Sequence, residues 1–268
     1  ETETRPCKRC HSDYFPLYWE CLGAKILRGD GYCPDCALAV YQDELAKEET
    51  ARQAEIARIR KDRREKCGVP FKFINQDFST FEKGWQDKAF KLCWDYASQF
   101  PLDKKPHGYR SLYMWSSRSW GTGKTHLSCA IIHRILDRWK GDSKRCPRVL
   151  FLSESDLFRR IQATYSFNHE ERAIRESEDD IIKSIVYADL LVLDDVGKEK
   201  RADPRFVQRT LFGIIDGRYK LDLPIVITAN LPPDGLKEHL ESASFDRLWE
   251  MCQGNSVNMD GKSFRMRK

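Results

Sequence analysis
The sequence predicts an α/β fold built on a parallel sheet, and three observations predict it. Residues 118–126 read R-S-W-G-T-G-K-T-H and stand between a short apolar run (111–116) and a helical pattern, the strand, glycine turn and helix order of a phosphate-binding loop. Residues 190–193 (L-L-V-L) run straight into Asp194 and Asp195, as a buried strand does when it delivers acids at its carboxyl end. A further apolar run, 148–152, falls between these two motifs in the chain. That extra strand marks the additional-strand class of P-loop NTPases.

Composition limits the alternatives. A chain of 268 residues, 41% hydrophobic, has room for one large domain or for a main domain with a small appendage. No run approaches the roughly 18 apolar residues of a membrane span, and the opening E-T-E-T-R-P holds no apolar signal region. The expectation is a cytoplasmic protein that makes no use of membrane. The 46 basic and 41 acidic residues leave a net charge of +5, which permits contact with nucleic acid without establishing it.

Taken in order, the chain opens with two C-x-x-C pairs, Cys7 with Cys10 and Cys33 with Cys36, separated by 22 residues. Each pair offers two thiolates from one tight turn, and together they supply the four soft ligands of a closed Zn²⁺ site. The separation slightly exceeds the commonest ribbon spacing, so Cys21 and His11 stand as substitute ligands, with two disulfides as the alternative chemistry. The run Tyr14, Phe15, Leu17, Tyr18 and Trp19 between the pairs is too large for a tiny ribbon to bury, so part of it packs under the site and part is a docking surface. Residues 38–66 hold no glycine or proline, carry pairs such as Glu48/Arg52 and Asp62/Lys66, and are poor in apolar residues. They read as a long exposed helix whose basic end, 58–64, is a solvated face.

Gly68 and Pro70 break that helix, and Phe71, Phe73, Phe78 and Phe81 begin a packed domain. Residues 85–100 have helical apolar spacing, and a strand at 112–115 leads into the phosphate loop. There Gly121 and Gly123 let the backbone turn its N–H groups on phosphate. Lys124 reaches the β- and γ-phosphates of ATP, and the Thr125 hydroxyl can ligate Mg²⁺. With Ser119, Trp120, Thr122 and His126, these make the expected nucleotide contacts. The helix that follows carries a wide apolar stripe (Leu127, Ile131, Ile135) and closes at Gly141. Ser153 and Asp156 resemble a capping box that opens a helix to about Thr164, and residues 166–180 are charged and irregular. Asp194 is placed to hold Mg²⁺ through water and Asp195 to orient or deprotonate the attacking water. A last apolar strand, 223–228, ends at Ala229 and Asn230, an amide that can position the γ-phosphate or simply cap a turn.

From about residue 69 to the end, the sequence resembles the DnaC/IstB-like AAA+ ATPases, which include bacterial and phage helicase loaders and transposition helper ATPases. The resemblance rests on G-T-G-K-T-H-L (121–127), L-L-V-L-D-D-V-G (190–197), I-I-D-G-R-Y (214–219), T-A-N-L (228–231), D-R-L-W-E-M-C (246–252) and G-K-S-F-R (261–265), in family order. It implies an AAA+ sheet of strand order 5-1-4-3-2 with the helical lid largely absent. It also implies a division into a zinc module (1–40), a helical linker (41–67) and an ATPase domain (68–268). By position Asn230 matches the sensor-1 residue, Arg247 resembles the arginine finger that acts on a neighbouring subunit's ATP, and Arg265 resembles the sensor-2 arginine. Taken without the resemblance, Arg247 reads as a salt bridge to Asp246 or Glu250 and Arg265 as a surface charge. The implied partners are a hexameric replicative helicase gripped by the cysteine module, single-stranded DNA contacted from 157–164 with Arg159 and Arg160, and further copies of the chain. The family leaves two alternatives: a transposition helper acting on duplex DNA with a transposase, and an ATP-gated adaptor that barely hydrolyses. The sequence departs from the pattern at Arg118, where the loop signature opens on glycine, and it ends three residues past Arg265.

Overall fold
The computed structural model describes residues 4–21, 24–28, 31–82, 84–141, 145–166, 175–198 and 204–266, and between 17 and 28 it describes main chain alone. The chain divides into two units, Glu1–Arg58 and Ile59–Lys268.

In the first unit, strands β1 (Arg5–Pro6) and β2 (Asp13–Tyr14) pair antiparallel, as do β3 (Leu17–Cys21) and β4 (Ala24–Arg28). Helix α1 then runs from Pro34 to Lys66. It starts four residues before the expected 38 because Pro34, whose ring presets a helical φ and whose missing N–H costs nothing there, stands at the first helical position. Asp35 in the first turn and Arg63, Arg64 and Lys66 in the last complement the helix dipole. Ile56 is its one buried residue, and Leu38, Tyr41 and Leu45 are exposed.

The second unit takes in the end of α1, and here the expected solvated face is corrected. Arg60 Nε donates to the Trp139 carbonyl at 2.8 Å and Arg64 pairs with Asp137 at 2.7 Å, so these turns grip the end of another helix of this unit. The remaining elements are α2 (Asp87–Gln99), β5 (Leu112–Trp115), α3 (Lys124–Arg138), β6 (Val149–Ser153), α4 (Glu154–Tyr165), α5 (Glu178–Val186), β7 (Leu190–Val196), α6 (Pro204–Lys220), β8 (Ile225–Ala229), α7 (Pro233–Leu240), α8 (Ser242–Cys252) and β9 (Ser256–Asn258). The expected capping box is present in part, since the Ser153 hydroxyl accepts from Asp156 N and opens α4. The expected irregular stretch gives way to helix at Glu178. There Ser177 and Asp180 form a full reciprocal box ahead of the apolar Ile181, Ile185 and Val186.

The five strands β6-β7-β8-β5-β9 form one sheet in which every pair is parallel. Counted along the chain, this is the order 5-1-4-3-2, as expected. Parallel strands covered on both faces are apolar throughout, and Leu191, Leu193, Ile225 and Ile227 pack with Leu157, Phe158 and Leu211 in one buried cluster. The strand beside the loop strand β5 is β8, which lies between β5 and the acid strand β7. The β7–β8 register slips between Leu193 and Val196, leaving one extra residue on β7 at the paired acids.

The core also holds a charge. Arg218 on α6 is fully buried, and its Nη1 donates to the carbonyls of Ile185, Val186 and Ala188 at 2.9, 3.0 and 3.0 Å. Its Nη2 donates to the Pro224 carbonyl. Burial pulls its pKa down to about 9, and the guanidinium fork satisfies carbonyls at the end of α5 that no helical N–H can reach. Arg218→Met is expected to strip the Val186, Ala188 and Pro224 carbonyls of this donor and destabilise the unit by about 3 kcal/mol or more, which denaturant unfolding would report. Arg218→Lys should recover little, since one ammonium cannot span both ends of the cage.

Candidate functional site
The phosphate loop follows β5. Gly121 and Gly123 take left-handed φ angles of 71° and 98°, which L side chains resist. Gly123 is also hemmed in, since a Cβ there would stand 2.6 Å from the Phe81 ring. Arg118 is outside the left-handed region, so glycine's freedom is not needed at the position where the loop signature calls for it. Its N–H and that of Ser117 donate to Asp260 Oδ1 at 2.9 and 3.0 Å.

Lys124 is the first residue of α3, and its side chain lies under the loop. Nζ donates to Ser116 Oγ at 2.5 Å and to Asn230 Oδ1 at 2.8 Å. Burial pushes its ammonium below the ordinary range, and the carboxylates of Asp195, Asp194 and Asp260 partly restore it. From Asn230 the contacts continue: Nδ2 donates to Asp195 Oδ1 at 2.9 Å, and Lys198 Nζ meets Asp195 Oδ2 at 3.0 Å. Asp195, with a left-handed φ of 60°, is the extra residue's neighbour on the bulge, and its N–H donates to Thr228 Oγ1 at 2.9 Å. A cation, an amide, a carboxylate and a second cation thus follow one another across the carboxyl edge of the sheet.

Asp194 lies beneath this row. Thr125 Oγ1 donates to its Oδ2 at 3.0 Å and Thr228 Oγ1 to its Oδ1 at 2.7 Å. Burial raises its pKa, and the two hydroxyls hold it back. A hydroxyl and a carboxylate in direct contact under a phosphate loop are oxygen donors of the hard kind that Mg²⁺ takes.

Of these groups Lys124, Thr125, Asp195, Lys198, Thr228 and Asn230 line a cavity of about 370 Å³, with Trp120, Thr122 and Arg265 also on its wall, while Asp194 is buried behind Thr125 and Thr228. Gly121, Gly123 and His126 line it as well, so most of the expected nucleotide contacts share one wall. His126 is itself held by that wall, Nε2 lying 2.8 Å from the Asp77 carbonyl and its ring edge-on to Phe81. Trp120 is exposed at the mouth. Ser119 does not line the cavity; it is half-buried, its hydroxyl accepting from Gly261 N at 3.1 Å. Arg247, on α8, is not part of the cavity. It pairs with Asp216 at 3.2 Å, donates to the Ala243 carbonyl, and lies over the rings of Phe212 and Tyr219, so its ion pair is with neither Asp246 nor Glu250. Arg159 pairs with Asp156 and Arg160 with Glu176 on the surface.

Sequence reasoning missed Ser116, Thr228, Lys198 and Glu154. The last is fully buried at the start of α4, where Oε2 accepts from Gly197 N at 3.0 Å and Oε1 meets His239 Nε2 at 2.6 Å, pinning the turn after the acid strand. Ser116 and Thr228 stand at strand tips beside residues that were recognised, which is a usable signal. A buried glutamate next to a capping serine offers none.

In the first unit the sulfur atoms of Cys7, Cys10, Cys33 and Cys36 lie within 4.8 Å of one another, Cys10 and Cys33 at 3.8 Å. A tetrahedral zinc–thiolate site, with Zn–S of about 2.3 Å, requires S···S separations of roughly 3.8 Å, so the donor set fits the ion. Burial raises the Cys7 thiol, but main-chain N–H groups of Cys10, Cys33 and Arg9 outweigh it and hold it at about 6. Cys33 and the other neighbouring thiols push Cys36 up to about 12. All four are free thiols, so the disulfide alternative is not what the structure holds. His11 stands outside the cluster, closing the turn with its N–H on the Cys7 carbonyl at 2.9 Å. The Cys21 side chain, like those of Leu17, Tyr18 and Trp19, lies outside the described residues, and Phe15 is exposed.

A family model described as IstB-like ATP binding protein matches residues 118–268, more than half of the chain. The chain belongs to the IstB-like ATP-binding family. Among curated relatives, the uncharacterized protein YdaV of Escherichia coli (strain K12) is 28% identical over 145 residues, 54% of this chain and 52% of that protein. The replicative helicase loader DnaC of Escherichia coli (strain K12) is 27% identical over 137 residues, 51% of this chain and 49% of that protein. The IstB-like chain thus spans about half the length of the curated relatives it matches. A crystal structure of the DnaC helicase loader superposes with a TM-score of 0.55 at 21% identity, covering 71% of this chain and 100% of that one. One of DnaI gives 0.52 at 20%, covering 74% and 97%. At these identities the likeness is one of fold, the AAA+ fold of an IstB-like ATP-binding protein with a four-cysteine cluster ahead of it. Among the described residues, no helix is long and apolar enough to cross a membrane.

Proposed function
We propose that this chain is an ATP-dependent helicase loader that grips a hexameric replicative helicase through its N-terminal zinc module and holds ATP·Mg²⁺ and single-stranded DNA with its AAA+ domain. The observation that carries the reading is the row Lys124, Asn230, Asp195 above the Thr125–Asp194 pair, in a chain that also brings four thiols together. The loop amides and Lys124 receive the β- and γ-phosphates. Thr125 and Asp194 hold Mg²⁺, which when bound neutralises charge on the phosphate oxygens. Asp195, steered by Asn230 and by the Thr228 hydroxyl on its N–H, orients the attacking water and accepts its proton. Arg265 faces the same cavity from the chain's end and offsets charge on the transferred phosphoryl group, and Arg247 acts on the ATP of an adjacent copy. Cys7, Cys10, Cys33 and Cys36 hold Zn²⁺ as a closed structural site, and the exposed Phe15 beside it is suited to docking. Arg159 and Arg160 contact DNA phosphates, giving salt-sensitive binding without sequence preference.

A second reading, which membership of the IstB-like ATP-binding family leaves open, is a transposition helper that acts on duplex DNA with a transposase. Co-purification of the zinc-loaded chain with a hexameric replicative helicase, followed by ATP turnover on the complex with single-stranded and duplex DNA, separates the two. A loader is expected to co-elute with the helicase and to respond to single strands. No association in the presence of ATP and zinc, with turnover responding to duplex alone, sinks the loader and leaves the helper. Turnover that neither DNA raises above background leaves an ATP-gated adaptor.

A further inference from the structure
The phosphate loop does not stand alone. After β9 the chain runs on beside it, and contacts follow in parallel order: Met259 N to the Trp115 carbonyl at 2.6 Å, Asp260 Oδ1 accepting from Ser117 N and Arg118 N, Gly261 N to Ser119 Oγ, and Phe264 N to the Gly121 carbonyl at 2.9 Å. The strap crowds the loop at Gly121, and Trp85 in turn crowds the strap at Gly261. A Cβ on Gly121 would lie 2.5 Å from Ser263 Oγ, and one on Gly261 would lie 2.1 Å from Trp85 Nε1. Phe264 fastens the far end, stacked on Trp85 with ring centroids 5.4 Å apart and set against Phe81 at 5.8 Å.

We propose that residues 260–265 are a strap that shapes the phosphate loop, with Asp260 as the positioning residue that fixes the loop's first turn. Successive main-chain N–H groups make a concavity that attracts an anion, and here the chain fills it with its own carboxylate, whose second oxygen takes the Ser117 hydroxyl at 3.1 Å. Asp260 does not line the cavity, so it acts through the loop rather than on a ligand. With Ser117 and Arg118 held, the N–H groups that follow are aimed before nucleotide arrives. The assignment also accounts for an arginine at position 118: an external acceptor fixes the turn that an opening glycine otherwise leaves to the loop's own flexibility. Because the strap and a bound nucleotide hold the same loop, each strengthens the other's grip.

The inference rests on ATP binding at this loop, and the test keeps the two apart. Amide hydrogen exchange at Ser117 and Arg118, without nucleotide, is expected to speed at least about tenfold in Asp260→Ala and to stay within about threefold of the parent in Asp260→Asn, whose amide oxygen can still accept. The affinity for ATP·Mg²⁺ should fall about tenfold in Asp260→Ala and be largely kept in Asp260→Asn. In the unaltered chain, saturating ADP·Mg²⁺ should slow exchange at Gly261 and Phe264. Unchanged exchange at 117 and 118 in Asp260→Ala, or strap amides indifferent to nucleotide, overturns the strap, and the second holds even if the alanine variant fails to fold. If the unaltered chain binds no ATP, the proposed function falls while the exchange at 117 and 118 still decides for or against the strap.

Discussion
Lys124→Ala is expected to lower both the affinity for ATP and its turnover by about 100-fold or more. Each charge-assisted hydrogen bond to phosphate contributes about 1.5–3 kcal/mol, and an ammonium that bridges two phosphates makes at least two. The loss is not confined to binding. Lys124 supports Asn230 Oδ1, and Asn230 in turn positions Asp195, so the same truncation removes a support of the acid proposed to orient water. Equilibrium titration with a fluorescent nucleotide and steady-state phosphate release would measure the two effects. The thermal midpoint of the apo variant would show whether Ser116 and Asn230, left without their donor, loosen the sheet edge. Turnover at the parent level would mean that the loop does not receive phosphate.

Removing zinc is the second large effect. Among the described residues, the first unit has short two-stranded pairs and a helix with a single buried residue, which is too little core to order the turns around the cysteines. A structural zinc contributes about 10 kcal/mol or more to such a module, so the ordered turns should depend on it entirely. The purified chain is expected to carry about one zinc, and Cys33→Ser with Cys36→Ser to carry none. In that variant the amides of Cys7 and Lys8, which donate to the Ser12 and Gly31 carbonyls, should exchange as in an unfolded chain. The helicase capture proposed for this module should vanish, while nucleotide binding by the second unit persists. A parent chain free of zinc, or a double variant that retains it, would refute the site.

What the sequence revealed and what it hid divide along physical lines. The loop, the acid strand and the amide at Asn230 were legible because each sits where an apolar strand stops, and hydrophobic runs with abrupt polar ends survive any detail of packing. The sheet order came from the family resemblance these motifs carry, since strand runs alone do not say which strand lies beside which. Helix α5 was hidden by the charged residues before it, although Ser177 and Asp180 carry a complete capping signal. Strand β9 was hidden by its three-residue length, since no periodicity can show in so few positions. Arg218 read as one member of a motif, because nothing in a linear sequence says that a guanidinium will be surrounded by carbonyls from two other segments. Asp260 was invisible for the same reason: the N–H groups that donate to its carboxylate lie more than a hundred positions away.

The slipped register of β7 bears on how the second acid can be studied. Because the main chain at Asp195 is wound in the sense that only glycine and the short asparagine and aspartate side chains adopt readily, alanine there adds conformational strain to the loss of the carboxylate. Asparagine alters the charge and leaves the winding alone. A hydrolysis defect in an alanine mutant would therefore mix chemistry with backbone geometry, and the longer glutamate is a poor stand-in for the same cause. The choice of residue at this position is dictated by torsion as much as by proton transfer.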